Sequence, residues 1–140
     1  MNTPETRRCF FHKKERLCSK KIITELFEHG ASFRVGVLKF FYLLEVDPAE
    51  QEVPVQVAFA VPKRSFKHAY LRNRLKRRMR EAYRLHKHFL VEKTGHADKR
   101  IAIFVKLSSR KEVSYLTLEH AMKKGLRQMI KRSEGDFAPK

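Results

Sequence analysis

Between residues 63 and 88 stand eleven basic side chains, Lys63, Arg64, Lys67, Arg72, Arg74, Lys76, Arg77, Arg78, Arg80, Arg84 and Lys87, against a single acid, Glu81. Residues of this type at this density bind phosphate. Arginine outnumbers lysine, and the guanidinium fork donates two hydrogen bonds to the oxygens of one phosphate. With Arg72 set at zero and about 100° per helical residue, Leu71, Leu75, Met79 and Ala82 cluster near about 300°. Asn73, Arg77, Arg80 and Arg84 cluster near about 120°, opposite, with Arg72 and Lys76 flanking that pole. A charged face opposite an apolar stripe is also what any half-buried helix shows. A face that is only solvated, however, mixes signs to gain i,i+4 pairs, whereas like charges at that spacing repel. The crowding here points to a polyanion that neutralises it.

Hydrolytic chemistry by the chain itself finds little support. Two-metal phosphodiester cleavage needs clustered carboxylates around cations about 4 Å apart, and the three aspartates, Asp47, Asp98 and Asp136, fall in predicted loops or tail. Seven histidines are present, at 12, 29, 68, 86, 88, 96 and 120. None forms an acid–base pair with an orienting carboxylate by sequence spacing, and His86 and His88 point to different helix faces. Cys9 and Cys18, nine residues apart, fit neither a zinc pattern nor a disulfide framework. No catalytic residue, metal ligand or cofactor site is assigned.

The elements that must carry the basic face follow from periodicity. Residues 1–16 are polar, basic and without period, and predict a flexible arm. Ser19 caps a short helix with Ile22, Ile23, Leu26 and Phe27 at helical spacing and Gly30 as its stop. Ser32 to Val46 is a β-rich run, one long strand or two short ones, ended by the turn signal at 47–50. Val55, Val57, Phe59 and Val61 alternate with Gln56, Ala58 and Ala60, so this strand has one bulky and one small-residue face. A helix is predicted over 69–89, with Gly95 beyond its end. Ile101 to Leu107 suits a buried strand, and a capping box of Ser109 and Glu112 precedes a last helix with a stripe of Leu118, Ala121, Met122, Gly125 or Leu126, Met129 and Ile130. Residues 133–140 predict a frayed tail. Helix, strands, helix, strand, helix describes one compact α+β domain over residues 17–132.

Length and charge agree with a single folded domain. The chain has 140 residues and a formal charge of +17, with eleven phenylalanines, too much packing material for a disordered polybasic tail. Such a charge suits nucleic acid, an anionic membrane surface or acidic proteins. The longest apolar runs, Phe40 to Leu44 among them, are far short of a membrane span. The apolar stripe of the basic helix is narrow and needed for the core, which disfavours membrane-surface binding. The first twenty residues have no apolar core or cleavage site of a secretory signal, so a cytoplasmic location is expected.

The stretch ValAlaPheAlaValProLysArg at 57–64, followed by ArgAsnArgLeuLysArgArgMetArgGluAlaTyrArg at 72–84, resembles the ArgAsnArg signature of the bacterial ribonuclease P protein component. This small basic subunit assists a catalytic RNA in removing the 5′ leader of precursor tRNA. The likeness covers residues 16–131 in element order. It implies a four-stranded mixed sheet with helices packed on it and a left-handed βαβ crossover that contains the motif helix. It implies RNA contacts by Arg72, Asn73, Arg74, Lys76, Arg77 and Arg80, with Lys63 and Arg64 as the basic pair after the strand; Arg84 joins them from the helical projection. It further implies a cleft for the single-stranded leader, with Phe27 and Phe41 as its aromatics. Magnesium would be bound by the RNA partner, the chain itself holding no cofactor and being a monomer when free of RNA. Three places depart from the family: Ile23 stands where an aromatic is frequent, Ala58 replaces a glycine, and the turn between the basic pair and the motif lacks its usual glycine, with Ser65 and Phe66 adding a residue. Phe40 and Tyr42 point to one sheet face and Phe41 to the other. A ribosomal-type structural RNA-binding protein, with no part in tRNA processing, shares the charge, size and basic helix and is the alternative.

Overall fold

The computed structural model describes residues 11–134. A 3₁₀ turn, Lys13–Glu15, leads into helix α1, Lys20–His29. Strands β1, Ala31–Val35, and β2, Leu38–Leu43, follow, then β3, Val55–Ala60, helices α2, Ala69–His86, and α3, His88–His96, strand β4, Ile101–Leu107, and helix α4, Tyr115–Ser133. The four strands form one mixed sheet in the order β1-β2-β4-β3. β2 is antiparallel to both β1 and β4, while β3 runs parallel to β4 and is joined to it through α2 and α3. This is the α+β class that the sequence predicts.

Each element has a local cause. The Ser19 hydroxyl accepts the Ile22 N–H at 3.2 Å and starts α1, whose Ile22 and Leu26 are buried. The β-rich run divides into two strands at a two-residue hairpin turn, where Gly36 takes φ 55°, a conformation that costs glycine nothing. Alternation along β2 sends Leu38, Phe40 and Tyr42 to one face, where they meet Val55, Val57, Ile101, Ile103, Val105 and Leu107. The stripes of α2 (Leu75, Met79, Ala82) and α4 (Leu118, Met122, Leu126, Met129) close over this face, with Tyr83 of α2 fully buried beside Phe59 of β3. The opposite face carries a smaller cluster in which α1 packs Ile22 and Leu26 against Ala102, with Ile23, Phe41, Leu43, Ala58 and Phe104 around it.

Three boundaries differ from the sequence expectation. Of the arm over 1–16, residues 1–10 lie outside the described residues, and residues 11–16 are laid on the sheet. Phe11 packs edge-on against Phe59 and Tyr83 with centroids 6.0 and 5.6 Å away, and Arg16 makes a parallel bridge to Val57. A segment without period is ordered by what it meets, and period alone cannot show that. The helix expected over 69–89 breaks at Lys87, whose buried ammonium pairs with Glu15. A second helix, α3, then runs on through Gly95, burying Leu90 and Thr94. The last helix is capped by Ser114, which accepts from the Thr117 N–H at 3.2 Å, and not by Ser109. Ser109 closes a turn onto Lys111, and Glu112 is engaged by arginines of α2. Of the frayed tail, residues 135–140 lie outside the described residues. No helix among the described residues is long and apolar enough to cross a membrane.

Candidate nucleic-acid interface

Helix α2 holds its apolar stripe in the core, so the opposite pole is fixed toward solvent, and the surroundings then divide its cations into two groups. Arg72 is turned back on the chain: its Nη1 donates to the carbonyls of Phe66 and Lys67 at 2.7 and 2.8 Å. Those bonds tie the helix to the turn before it, where the N–H groups of Ser65 and Phe66 reach the Pro62 carbonyl and Phe66 is buried. The turn needs no left-handed residue, since Asp98 is the one non-glycine with positive φ among the described residues. A glycine is therefore dispensable here, with Phe66 as the plug. Arg74 and Arg78 share Glu112, at 3.2 and 3.1 Å, and Arg78 also donates to the Val113 carbonyl at 2.7 Å. Arg84 grips Glu81 through Nε at 3.1 Å and Nη2 at 2.5 Å, and this hydrogen bond holds the Glu81 carboxyl below its usual range.

The second group is Lys63, Arg64, Lys76, Arg77 and Arg80, whose side chains have no ion pair or hydrogen bond with any described residue. Asn73, exposed on the same face, has none either. Burial, and then the like charges of Arg16 and Arg77, push the Arg80 guanidinium below its ordinary value. Arg16 is a residue that sequence reasoning missed. It sits far from the motif in sequence, and only its bridge to β3 brings it beside Arg80. Unpaired cations held against one another are an anion site in electrostatic terms, because a phosphate removes the repulsion as well as adding attraction.

A second locus lies on the sheet face under α1. The rings of Phe27 and Phe41 are 5.0 Å apart, and Phe104 of β4 stands 4.9 Å from Phe27 and 6.2 Å from Phe41, all edge-to-face. Phe27 is 48% exposed and Phe41 partly so, while Phe40 and Tyr42 are buried on the other face, as alternation requires. Phe104 also went unnoticed in the sequence. The alternation of β4 marks it, since Ala102, Phe104 and Lys106 share a face opposite Ile101, Ile103, Val105 and Leu107. Register sets Phe104 opposite Phe41 and beside Ala58, and Lys106 opposite Lys39 and beside Ala60. The small face of β3 thus leaves the floor open, and two lysines border the rings, Lys39 lying 5.1 Å from the Phe41 centroid. Ile23 packs into the same cluster without offering a ring. Flat rings beside ammonium groups suit the bases and phosphates of a single strand.

Neither locus carries an acid–base pair. Histidines with a carboxylate within 4 Å among the described residues include His29, 3.8 Å from its exposed neighbour Glu28 on α1, and His86, 2.9 Å from Glu119, a pair that ties α2 to α4. No group of three or more potential ligands that could hold a metal occurs among the described residues.

The family model described as Ribonuclease P matches residues 11–130. A ribonuclease P protein component of Porphyromonas gingivalis is 36% identical over 116 residues, covering 81% of this chain and 82% of that relative. One from Chlorobium phaeobacteroides is 48% identical over 73 residues, about half of each chain. In fold, the chain is similar to the Staphylococcus aureus RNase P protein, with a TM-score of 0.59 at 17% identity over 82% of this chain and 94% of that one.

Proposed function

The chain belongs to the ribonuclease P protein component family, and on that premise we propose that it is the protein subunit of a cytoplasmic ribonuclease P, a monomer until it meets the RNA. Lys63, Arg64, Lys76, Arg77 and Arg80, with Asn73, bind the phosphate backbone of the catalytic RNA. The aromatic floor under α1 holds the 5′ leader of precursor tRNA. The observation that carries this reading is the partition of the cations in and before α2: Arg72, Arg74, Arg78 and Arg84 have intramolecular partners, while Lys76, Arg77 and Arg80 share one helix face and, with Lys63 and Arg64 of the preceding turn, have no ion pair or hydrogen bond among the described residues. The endonucleolytic step and its magnesium belong to the RNA. The part of this chain is to neutralise phosphates that would otherwise need additional cations, and to hold the leader in register.

The test is reconstitution. Purified protein added to a bacterial catalytic RNA should lower the magnesium needed for leader removal, and protein freed of RNA should cleave nothing at any magnesium concentration. Cleavage by RNA-free protein, or no shift in the magnesium requirement, overturns the proposal. Tight RNA binding with no effect on leader removal would favour a purely structural RNA-binding role.

The rings make a separate prediction. Stacking one base contributes about 1–3 kcal/mol and is nearly salt-independent, whereas each neutralised phosphate adds about 0.7–0.9 to the log–log salt slope. Phe27→Ala and Phe104→Ala should therefore weaken holoenzyme binding to precursor tRNA about fivefold or more, with mature tRNA binding and the salt slope unchanged. Truncating a buried Phe costs about 3–5 kcal/mol, so thermal melting of each variant is measured alongside. A folded variant with undiminished leader discrimination removes that ring from the cleft.

A further inference from the structure

Tyr70 stands at the start of α2 with 64% of its surface exposed. An exposed ring by itself means little, since much of any protein surface is apolar. Three observations set this one apart. First, at about 100° per residue Tyr70 projects at about 160°, in one row with Asn73 near about 100° and Arg77 near about 140°. It therefore shares the pole on which the unpaired cations stand. Second, its ring extends an existing surface: His68 lies 5.6 Å away centroid to centroid, at an interplanar angle of 32°. Third, the Arg74 guanidinium lies 5.8 Å from the ring centroid and is itself held by Glu112 at 3.2 Å. A guanidinium engaged by a carboxylate is an anchored neighbour to the ring, and the ring loses little freedom when a base settles on it. Phe89, similarly exposed and likewise beside a histidine ring, His88 at 4.3 Å, stands on α3 and outside this row, and Leu116 has no π face.

We propose that Tyr70, flanked by His68 and Arg74, is a stacking platform for an unpaired nucleobase of the RNA that the α2 face binds. This rests on the RNA-binding reading above and adds to it a base contact where only phosphate contacts were assigned. A duplex laid on the row Asn73, Arg77, Arg80 presents phosphates to the cations and nothing flat to Tyr70, whereas a bulged, looped or terminal base can turn its face to the ring. The base comes from the catalytic RNA or from precursor tRNA, and the chemistry is the same for both.

The experiment compares Tyr70→Ala, Tyr70→Phe and Arg77→Ala with the parent protein, in binding to catalytic RNA alone and in holoenzyme binding to precursor tRNA. Tyr70→Ala should lose about five- to a hundredfold in affinity in one of the two arms, with no change in salt slope. Tyr70→Phe should restore it, and Arg77→Ala should lower the slope by about 0.7–0.9. The arm in which the loss appears identifies the source of the base. Because the chain contains no tryptophan, Tyr70→Trp adds a second readout: emission of the introduced indole should be quenched when the RNA of that arm is added. If Tyr70→Ala binds as the parent does in both arms, or the indole emission is unchanged, the platform is wrong, and a loss at Arg77→Ala leaves the RNA-binding reading standing. If the parent itself does not bind the catalytic RNA more tightly than an unrelated RNA of equal length, that reading fails and the platform with it.

Discussion

Replacing Lys76, Arg77 and Arg80 together by alanine should weaken binding to the catalytic RNA at least about a hundredfold, while the same change at Lys123, Lys124 and Arg127 of α4 should cost less than about tenfold. Both triple variants remove three positive charges, and neither set has an intramolecular ion pair among the described residues, so a diffuse electrostatic attraction would respond equally to the two. Geometry separates them. The first set converges with Arg16 on one face, where partial burial and neighbouring like charges already depress the Arg80 guanidinium. A hydrogen bond to a charged group is worth about 1.5–3 kcal/mol, so losing even two of three such contacts predicts a change of at least two orders of magnitude. The fold should not suffer, since removing charges that repel one another relieves the isolated protein. Arg72 is left out of the set because its guanidinium holds the carbonyls of Phe66 and Lys67, and removing it would disturb the turn that aims the helix. Filter-binding or fluorescence titration over a range of salt decides the matter. Equal losses from the two triple variants would mean that charge acts diffusely and that the α2 face has no special part.

Gly125→Ala should destabilise the protein, against the ordinary sign of that substitution. In a helix interior alanine is favoured over glycine by about 1 kcal/mol, and Gly125 sits well inside α4. A Cβ at this position would stand 2.1 Å from Phe40 Cζ and 2.3 Å from Cε1, far inside van der Waals contact. Phe40 has little room to move. It is fully buried, and a face of its ring is stacked on Phe33 at 5.0 Å with the planes 4° apart. Overpacking of this kind costs about 1–3 kcal/mol and at times more, which outweighs the helix gain. A kilocalorie corresponds to about 2–8 °C of melting temperature for a chain of this size, so a fall of about 5–15 °C is expected by calorimetry. Adding Phe40→Leu should recover part of the loss, because the two residues share one contact and their effects cannot add. A Gly125→Ala protein that melts at or above the parent temperature would show that α4 does not rest on β2 through this glycine.

Period and composition determined what local physics governs. The 3.6-residue stripes of α1, α2 and α4, the two-residue alternation of β2 and β3, the Ser19 cap and the orientation of the α2 cations are all set within a turn or two of chain, and each stands where the sequence puts it. The same locality explains the misplacements. Ser109 and Glu112 have capping-box spacing, but Arg74 and Arg78 arrive from α2 to claim the carboxylate, and Ser114 caps the helix instead. Lys87 lies within a helical pattern, and the pattern divides there into two helices, with the Lys87 ammonium paired to Glu15, far away along the chain. Most of all, the helical projection groups Arg84 with Arg77 and Arg80 at one pole and sets Arg72 beside them. Only the tertiary structure separates Arg72, Arg74, Arg78 and Arg84, which meet carbonyls or carboxylates, from Arg77 and Arg80, which meet other cations. It likewise brings Phe104 from β4 and Arg16 from before α1 to surfaces their own segments do not announce. Partners at long sequence separation are chosen by strand register and helix docking, and neither is written in the period of any one segment.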